Sequence, residues 1–218
     1  MENSQSPRTI IFQICSVIGQ IMAILSTFDP QTTPNPHLLP IKELISLLSL
    51  LANNIPLAQD PSLTQLCLEK IELNGQKYPA HLCKGKSDSY KAYSATTGMG
   101  AEGPTSSPAQ TSPTQTAAVT TIPPSPNYEH EIPIASLQTI INKFVLERDW
   151  TKFHTPRNVA LALVGEIGEL AEIFQWKGDA ADSSLSFEDD ELTHIGQELA
   201  DVTIYALRLA TLTNCNLD

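Results

Sequence analysis

The sequence predicts an all-α fold, in which two helical parts are joined by a long segment rich in proline, serine and threonine. Apolar residues recur at helical spacing on both sides of that segment, and no stretch shows the alternation of a half-buried strand. Pro156 suits the first turn of one such helix. The predicted helices cover about 8–27, 41–53 and 62–75 in the first part, and about 134–148, 156–176 and 190–213 in the second, with Ser186 or a following Asp as the cap of the last.

The first apolar run, IIFQICSVIGQIMAILSTF from Ile10 to Phe28, has the length of a signal peptide or a membrane span. Gln13, Ser16 and Gln20 recur within it at spacings of three and four, and the residues before it carry little positive charge. This spacing favours a buried amphipathic helix. We therefore expect no membrane partner.

The middle of the chain has the composition of a tether. Residues 86 to 130 contain few large aliphatic side chains and much of the chain's complement of 16 prolines. Such a segment cannot bury enough apolar surface to offset its ordering entropy. The sequence therefore predicts a disordered linker at 86–130 between helical parts at 1–85 and 131–218.

The charge is unevenly distributed along the 218 residues, which are 41% hydrophobic and can form a core. From Tyr128 onward, 16 acidic residues stand against 6 basic ones, a net charge of −10, whereas the preceding part has a net charge of −1. No basic patch is visible, so a nucleic-acid duplex is not an expected partner. The four cysteines form no CxxC or Cys/His cluster and indicate ordinary thiols in a reducing compartment, which we expect to be the cytoplasm.

Two acidic doublets carry the strongest functional signal. Glu166 and Glu169 lie in ALVGEIGELAEIFQW, and Glu198 and Asp201 lie in IGQELADVTIYAL. Carboxylates three residues apart share one face of a helix. A single ExxE most often marks a solvated face. Two doublets among apolar residues of neighbouring helices instead predict a cation between them, because burying several carboxylates together without a counter-ion is unfavourable. Oxygen donors without His or Cys suit Mg²⁺, with Mn²⁺ as the alternative.

The chain also contains a weak, degenerate internal repeat. The run PRTIIFQICSVIGQIMAIL from Pro7 matches PRNVALALVGEIGELAEIF from Pro156 without a gap. In this register Val17 and Gln20 stand opposite the ExxE carboxylates. KELISLLSLLANN likewise meets QELADVTIYALRL, with Glu43 opposite Glu198 but Ser46 opposite Asp201. The first copy has thus lost most of the acidic residues.

The C-terminal run ERDWTKFHTPRNVALALVGEIGELAEIFQWK, followed by QELADVTIYAL, resembles the dCTP pyrophosphatase branch of the MazG-like, all-α nucleoside triphosphate pyrophosphohydrolases. The resemblance covers about residues 134 to 213. It implies a helical bundle that oligomerises, and a Mg²⁺-dependent hydrolysis of a nucleoside triphosphate to the monophosphate and pyrophosphate. By resemblance the metal ligands are Glu166, Glu169, Glu198 and Asp201.

The same resemblance implies substrate contacts from the DWxxFH segment and from aromatic residues near the acidic helices. Tryptophan and phenylalanine there can stack on a base, and the polar side chains can meet phosphate or base groups. Taken singly, an aromatic residue at the end of an apolar helix is more often part of a core. The substrate-binding candidates are Trp150, Thr151, Lys152, Phe153, His154, Trp176 and Tyr205.

Two departures from the family pattern are visible. Ile141 replaces a histidine usually found nine residues before the DW tryptophan, and the chain ends at Asp218, where the family continues into a fourth helix. LCLEKIELNGQKYPAHL, in the first part, resembles that fourth helix. The chain therefore resembles two incomplete copies, and we expect an internal pseudo-dimer in which Asn74 and Tyr78 reach the site. The alternative is a chain that has lost its last helix.

The expected reaction is hydrolysis of dCTP or a modified dCTP in nucleotide pool clean-up, with metal ions held by the four carboxylates. Glu166 or Glu169 would orient or deprotonate the attacking water. The preference for a pyrimidine deoxynucleotide follows from the resemblance alone. The rival hypothesis is a non-catalytic nucleotide-binding or oligomerisation module of the same family.

Overall fold

A computed structural model of the chain describes residues 5–28, 39–57, 61–87, 132–177 and 186–217, and these ranges contain helices and no strand. The predicted all-α fold is confirmed. The predicted linker lies outside the described residues, except for positions 86 and 87. The helices are α1 (Pro7–Thr27), α2 (Pro40–Asn53), α3 (Leu63–Lys77), α4 (Ala80–Cys83), α5 (Ile134–Glu147), α6 (Pro156–Phe174) and α7 (Asp189–Leu212).

Helices α1 and α6, which correspond to each other in the predicted internal repeat, begin in the same way. Each has a proline in its first turn and a hydroxyl side chain as its N-cap. The Ser6 hydroxyl accepts a hydrogen bond from the Thr9 N–H at 3.2 Å, and the Thr155 hydroxyl accepts one from the Asn158 N–H at 3.2 Å. Both caps satisfy amide groups that a helix start would otherwise leave without partners.

The start of α7 differs from the sequence expectation. Neither Ser186 nor an aspartate is the cap, because Glu188 holds that position and forms a reciprocal capping box with Glu191. The Glu191 carboxylate accepts the Glu188 backbone N–H at 2.9 Å. It also binds Lys177 beyond the end of α6, at 2.6 Å, so the start of α7 is attached to the end of its neighbour.

The helices form one bundle with α7 near its centre. Helix α7 packs against α6, α3, α2 and α5, while α1 packs against α2 and α6. Side chains from both halves of the chain are fully buried in the same core, among them Ile14, Leu48, Leu163 and Leu199. The part of the chain before residue 88 therefore shares its hydrophobic core with the part after residue 131.

Polar contacts reinforce this packing. The last carbonyls of a helix have no partner within the helix. The Arg157 guanidinium, at the start of α6, donates to the Leu25 carbonyl at 3.2 Å and to the Phe28 carbonyl at 2.7 Å, at the end of α1. Arg157 thus joins the C-terminus of α1 to the N-terminus of α6.

Helix α1 is the one helix among the described residues that is long and apolar enough to cross a membrane, with a mean hydropathy of 1.9. A core helix passes the same test. Ile10, Ile14 and Ile21 are fully buried in the bundle, as the amphipathic spacing predicts.

The sequence did not predict α4 or the turn after it. Gly85 adopts a positive φ of 71°, and its N–H donates to the Arg148 carbonyl at 2.8 Å. A Cβ here would lie 3.1 Å from an Asp149 carboxylate oxygen, so glycine suits both the backbone conformation and the close approach. The Trp150 indole N–H then donates to the Lys86 carbonyl at 2.9 Å. The turn places the segment after α3 beside Trp150.

Candidate functional site

A cavity of about 480 Å³ opens between α3, α5, α6 and α7, with walls from both halves of the chain. One end carries carboxylates and the other carries aromatic rings. Its lining residues are Lys70, Ile71, Asn74, Lys77, Tyr78, Ser87, Ile141, Phe144, Val145, Trp150, Phe153, His154, Glu166, Glu169, Glu198, Asp201, Ile204, Tyr205 and Arg208.

Three of the four predicted ligands converge at the carboxylate end. One carboxylate oxygen from each of Glu166, Glu169 and Glu198 lies within 4.8 Å of the other two. The three-residue spacing places Glu166 and Glu169 on the same side of α6, facing α7. Glu169 is exposed, Glu166 is half-buried and Glu198 is only 5% exposed, so the cluster extends from solvent into the bundle.

The carboxylates of this cluster repel one another, and their burial disfavours the charged form. Burial, reinforced by the neighbouring carboxylates, raises the pKa of Glu166 to about 7. Burial also raises the pKa of Glu198, against the opposing effect of Lys70. Glu198 Oε1 lies 3.2 Å from His194 Nε2, while its Oε2 is buried without a hydrogen-bond partner among the described residues. An orphaned carboxylate oxygen beside two further carboxylates fits a hard divalent cation.

Asp201, the fourth predicted ligand, lines the same cavity and is paired with Lys70. Lys70 Nζ lies 2.5 Å from Asp201 Oδ2, and each side chain is 15% exposed. Lys70, Asn74 and Tyr78 are spaced by four along and just beyond α3, so they face the cavity together. The N-terminal part of the chain thereby contributes a cation directly to the acidic end.

Trp150 is at the centre of the aromatic end. Its ring meets those of Tyr78 and Phe144 edge-on, with centroids 5.4 Å and 6.1 Å away, and the ring of His154 lies 6.3 Å away at a tilt of 31°. Edge-to-face contacts of this kind hold an indole in a fixed orientation. The rings form an aromatic wall suited to a planar ligand.

His154 is held as a neutral imidazole. Arg208 Nε donates to its Nδ1 at 3.3 Å, and burial together with the Arg208 charge lowers the pKa of His154 to about 4. Since Nδ1 accepts, the proton of the neutral ring is on Nε2. Burial, and then the charges of Glu166 and Asp201, raise the pKa of Tyr205 to about 12, so its hydroxyl remains a donor.

The predicted substrate-binding residues divide into two groups. Thr151, Lys152 and Trp176 do not line the cavity: Lys152 binds Asp149 at 3.1 Å, and Trp176 is 87% exposed beyond the end of α6. Substrate contact remains a prediction for all the candidates. Those that line the cavity are Asn74, Tyr78, Trp150, Phe153, His154 and Tyr205.

Sequence reasoning assigned no role to Arg208. The signal for it was present, because Asp201, Tyr205 and Arg208 follow one another at i, i+4 and i+7 and so share one face of α7. Lys70 and Phe144 were likewise assigned no role. Lys70 follows the same spacing ahead of Asn74 on α3.

Comparison with curated proteins finds relatives named dCTP pyrophosphatase 1. The protein of that name from Rattus norvegicus is 42% identical over 92 residues, which are 42% of this chain and 53% of the relative. Those from Mus musculus and Homo sapiens are 42% identical over 91 residues and 41% identical over 92 residues. The chain thus spans about half the length of the curated relatives it matches.

No family model and no solved structure matches the chain. The name of the curated relatives nevertheless agrees with the family that the C-terminal run resembles. Over the matched stretch, the resemblance to the dCTP pyrophosphatases, which are MazG-like proteins, is confirmed.

Proposed function

We propose that this protein is a metal-dependent nucleoside triphosphate pyrophosphohydrolase that converts dCTP, or a modified dCTP, to the monophosphate and pyrophosphate. The observation that carries the proposal is the convergence of three carboxylates, one with an orphaned buried oxygen, at one end of a cavity with an aromatic far end. The name of the curated relatives supports the choice of substrate. The proposed role is nucleotide pool clean-up in the cytoplasm.

The cofactor that fits is Mg²⁺, with Mn²⁺ as a substitute, because every donor in the cluster is a carboxylate oxygen. Glu166, Glu169 and Glu198 would hold it. When bound, the ion would supply charge neutralisation for the phosphates and a bound water of lowered pKa.

The chain's own residues complete the chemistry. Glu166 or Glu169 would orient the attacking water and take its proton as the water oxygen bonds to phosphorus and pyrophosphate leaves. Lys70 holds Asp201 in position beside the cluster. Tyr205, a protonated donor between the two ends of the cavity, would bond to the sugar or a phosphate.

The base would lie against the aromatic end. Trp150 is fixed by Tyr78, Phe144 and the Lys86 carbonyl, so it offers a flat face without needing to be ordered when the ligand binds. Phe153 and His154 line the same end.

Two kinds of assembly are part of the proposal. The shared core of the two halves supports an internal pseudo-dimer. Exposed apolar side chains on adjacent helices support a homo-oligomer: Phe12 of α1 is 67% exposed and Leu161 of α6 is 61% exposed. Light scattering of the full chain and of Phe12→Ser tests the second kind.

The deciding experiment measures pyrophosphate release from the four deoxynucleoside triphosphates with Mg²⁺, with Mn²⁺ and with a chelator. It compares the full chain with Glu169→Gln and with the control Glu172→Gln, which changes an exposed carboxylate of the same helix outside the cavity. Metal-dependent release by the full chain and the control, but not by Glu169→Gln, supports the proposal. A folded full chain that binds nucleotides and hydrolyses none is instead a non-catalytic module.

A further inference from the structure

Arg208 is a buried cation without a carboxylate partner. Its residue is 4% exposed on α7, and it forms no ion pair within the described ranges of the chain. Burial lowers the pKa of its guanidinium. A buried charge without a counter-ion is unfavourable unless hydrogen bonds or a ligand compensate for it. The proposed metal and carboxylate chemistry does not explain why an arginine is buried at this position.

Two neutral acceptors fix the guanidinium in place. Arg208 Nε donates to His154 Nδ1 at 3.3 Å, and one terminal nitrogen donates to Asn142 Oδ1 at 2.6 Å. A guanidinium has five N–H donors, so these contacts hold the planar fork and leave donors available. Because Arg208 lines the cavity, the available donors can meet a ligand there.

The position of Arg208 along the cavity is also defined. It follows Asp201 by seven residues, which is about two turns or roughly 10 Å along α7. Through His154 it adjoins the Trp150 wall. A nucleotide whose phosphates lie at the carboxylate end would therefore bring its base, and not its phosphates, to Arg208.

We propose that Arg208 determines base specificity by donating hydrogen bonds to the acceptor edge of the base, which in cytosine is O2 and N3. Uracil and thymine carry an N–H at N3. A guanidinium facing that edge would place one hydrogen-bond donor against another, which disfavours these bases. This inference rests on the proposed function, and it identifies the base edge as the part of the substrate that the cavity recognises. A purely structural Arg208 would only join α5 to the segment before α6.

The test pairs a change in the residue with a change in the substrate. In 3-deaza-dCTP a C–H replaces N3, which removes the acceptor and keeps the shape. We expect wild-type kcat/KM to be about 10- to 100-fold lower for 3-deaza-dCTP and for dUTP than for dCTP, the range of a hydrogen bond to a charged group. In Arg208→Met, kcat/KM for dCTP should fall to about the level of the other two substrates. The variant should therefore discriminate little among dCTP, 3-deaza-dCTP and dUTP. Arg157→Met, which changes an arginine outside the cavity, should discriminate as the wild type does.

Two additions keep each outcome decisive. Arg208→Lys keeps the cation without the fork and should lose most of the discrimination, which guards against a methionine variant that does not fold. Calorimetry of dCMP and 3-deaza-dCMP binding to the wild type tests the contact without turnover. The inference is wrong if the wild type hydrolyses dCTP and 3-deaza-dCTP equally, or binds dCMP and 3-deaza-dCMP equally. It is also wrong if the Arg208 variants discriminate among the substrates as the wild type does. If no triphosphate is hydrolysed but dCMP is preferred, the proposed function fails and the base contact stands.

Discussion

Lys70 of α3 and Asp201 of α7 form an ion pair of 2.5 Å at the edge of the carboxylate cluster. The two residues come from opposite halves of the chain, and both side chains are largely buried. The acidic end thus receives a positive charge from the N-terminal half of the chain. This pair couples the stability of the bundle to the electrostatics of the site.

Removing the Lys70 ammonium should destabilise the metal-free protein. Lys70→Met leaves Asp201 partly buried beside three further carboxylates, and we expect a loss of about 1 to 3 kcal/mol in the free energy of unfolding. Lys143→Met is the matched control, because its pair with Glu147 is 3.8 Å long and exposed. The control should change stability by less than about 0.5 kcal/mol. Urea unfolding with a chelator present measures the stability of both variants. Equal losses in Lys70→Met and Lys143→Met would contradict a stabilising role for the Lys70–Asp201 pair.

Glu198→Gln should have opposite effects on stability and on metal binding. The substitution removes a buried negative charge whose Oε2 has no partner among the described residues, so the metal-free Tm should rise by about 2 to 4 °C. The rise in Tm that Mg²⁺ produces in the wild type should disappear. Thermal scans with and without Mg²⁺ test both effects, with Glu172→Gln as the control. A full Mg²⁺ response in Glu198→Gln would exclude Glu198 as a ligand.

Glu166 should make the metal-free protein less stable as the pH rises. Its pKa is about 7 in the fold and 4.5 as the reference value, so the folded state binds the extra proton between these values. The stabilisation is present below pH 4.5 and is lost as the pH rises through 7. Urea midpoints from pH 4.5 to 7.5 should show this fall, and Glu166→Gln should flatten it. Saturating Mg²⁺ should also reverse it, since the ion favours the carboxylate.

His154 should contribute with the opposite sign. Its pKa is about 4 in the fold against 6.5 as the reference value, so the unfolded chain binds more protons between these values. The stabilisation is present above pH 6.5 and is lost as the pH falls through 4. A His154→Gln variant should lack this acid sensitivity. Comparing its urea midpoints with those of Glu166→Gln separates the two effects, and an unchanged pH profile would contradict the buried neutral imidazole.

The two halves of the chain should complete one site. A fragment beginning near Pro126 lacks Lys70, Asn74 and Tyr78 and exposes core side chains of α6 and α7, so we expect weak folding and no pyrophosphate release. Adding a fragment of residues 1–87 should restore both. Circular dichroism and pyrophosphate release of the mixture measure the recovery. Full activity of the C-terminal fragment alone would show that α3 is dispensable.

The sequence alone predicted every described helix except α4, and it predicted the acidic face, because both depend on local spacing. The 3.6-residue period determines which side chains share a face, and prolines and hydroxyl caps mark helix starts, so α1 and α6 begin within one residue of their predicted positions. The carboxylate doublets were visible for the same reason. The cap of α7 was mispredicted because Glu188 acts only through its reciprocal bond with Glu191.

Only the tertiary structure decided which side chains meet across the cavity. Nothing local indicates that Lys70 reaches Asp201, that Arg208 binds His154 and Asn142, or that Gly85 places Lys86 against Trp150. Such contacts follow from burying the apolar faces of all the helices in one core, which brings together residues far apart in the chain. Helical periodicity specifies the face on which a residue lies, whereas packing specifies what that face meets.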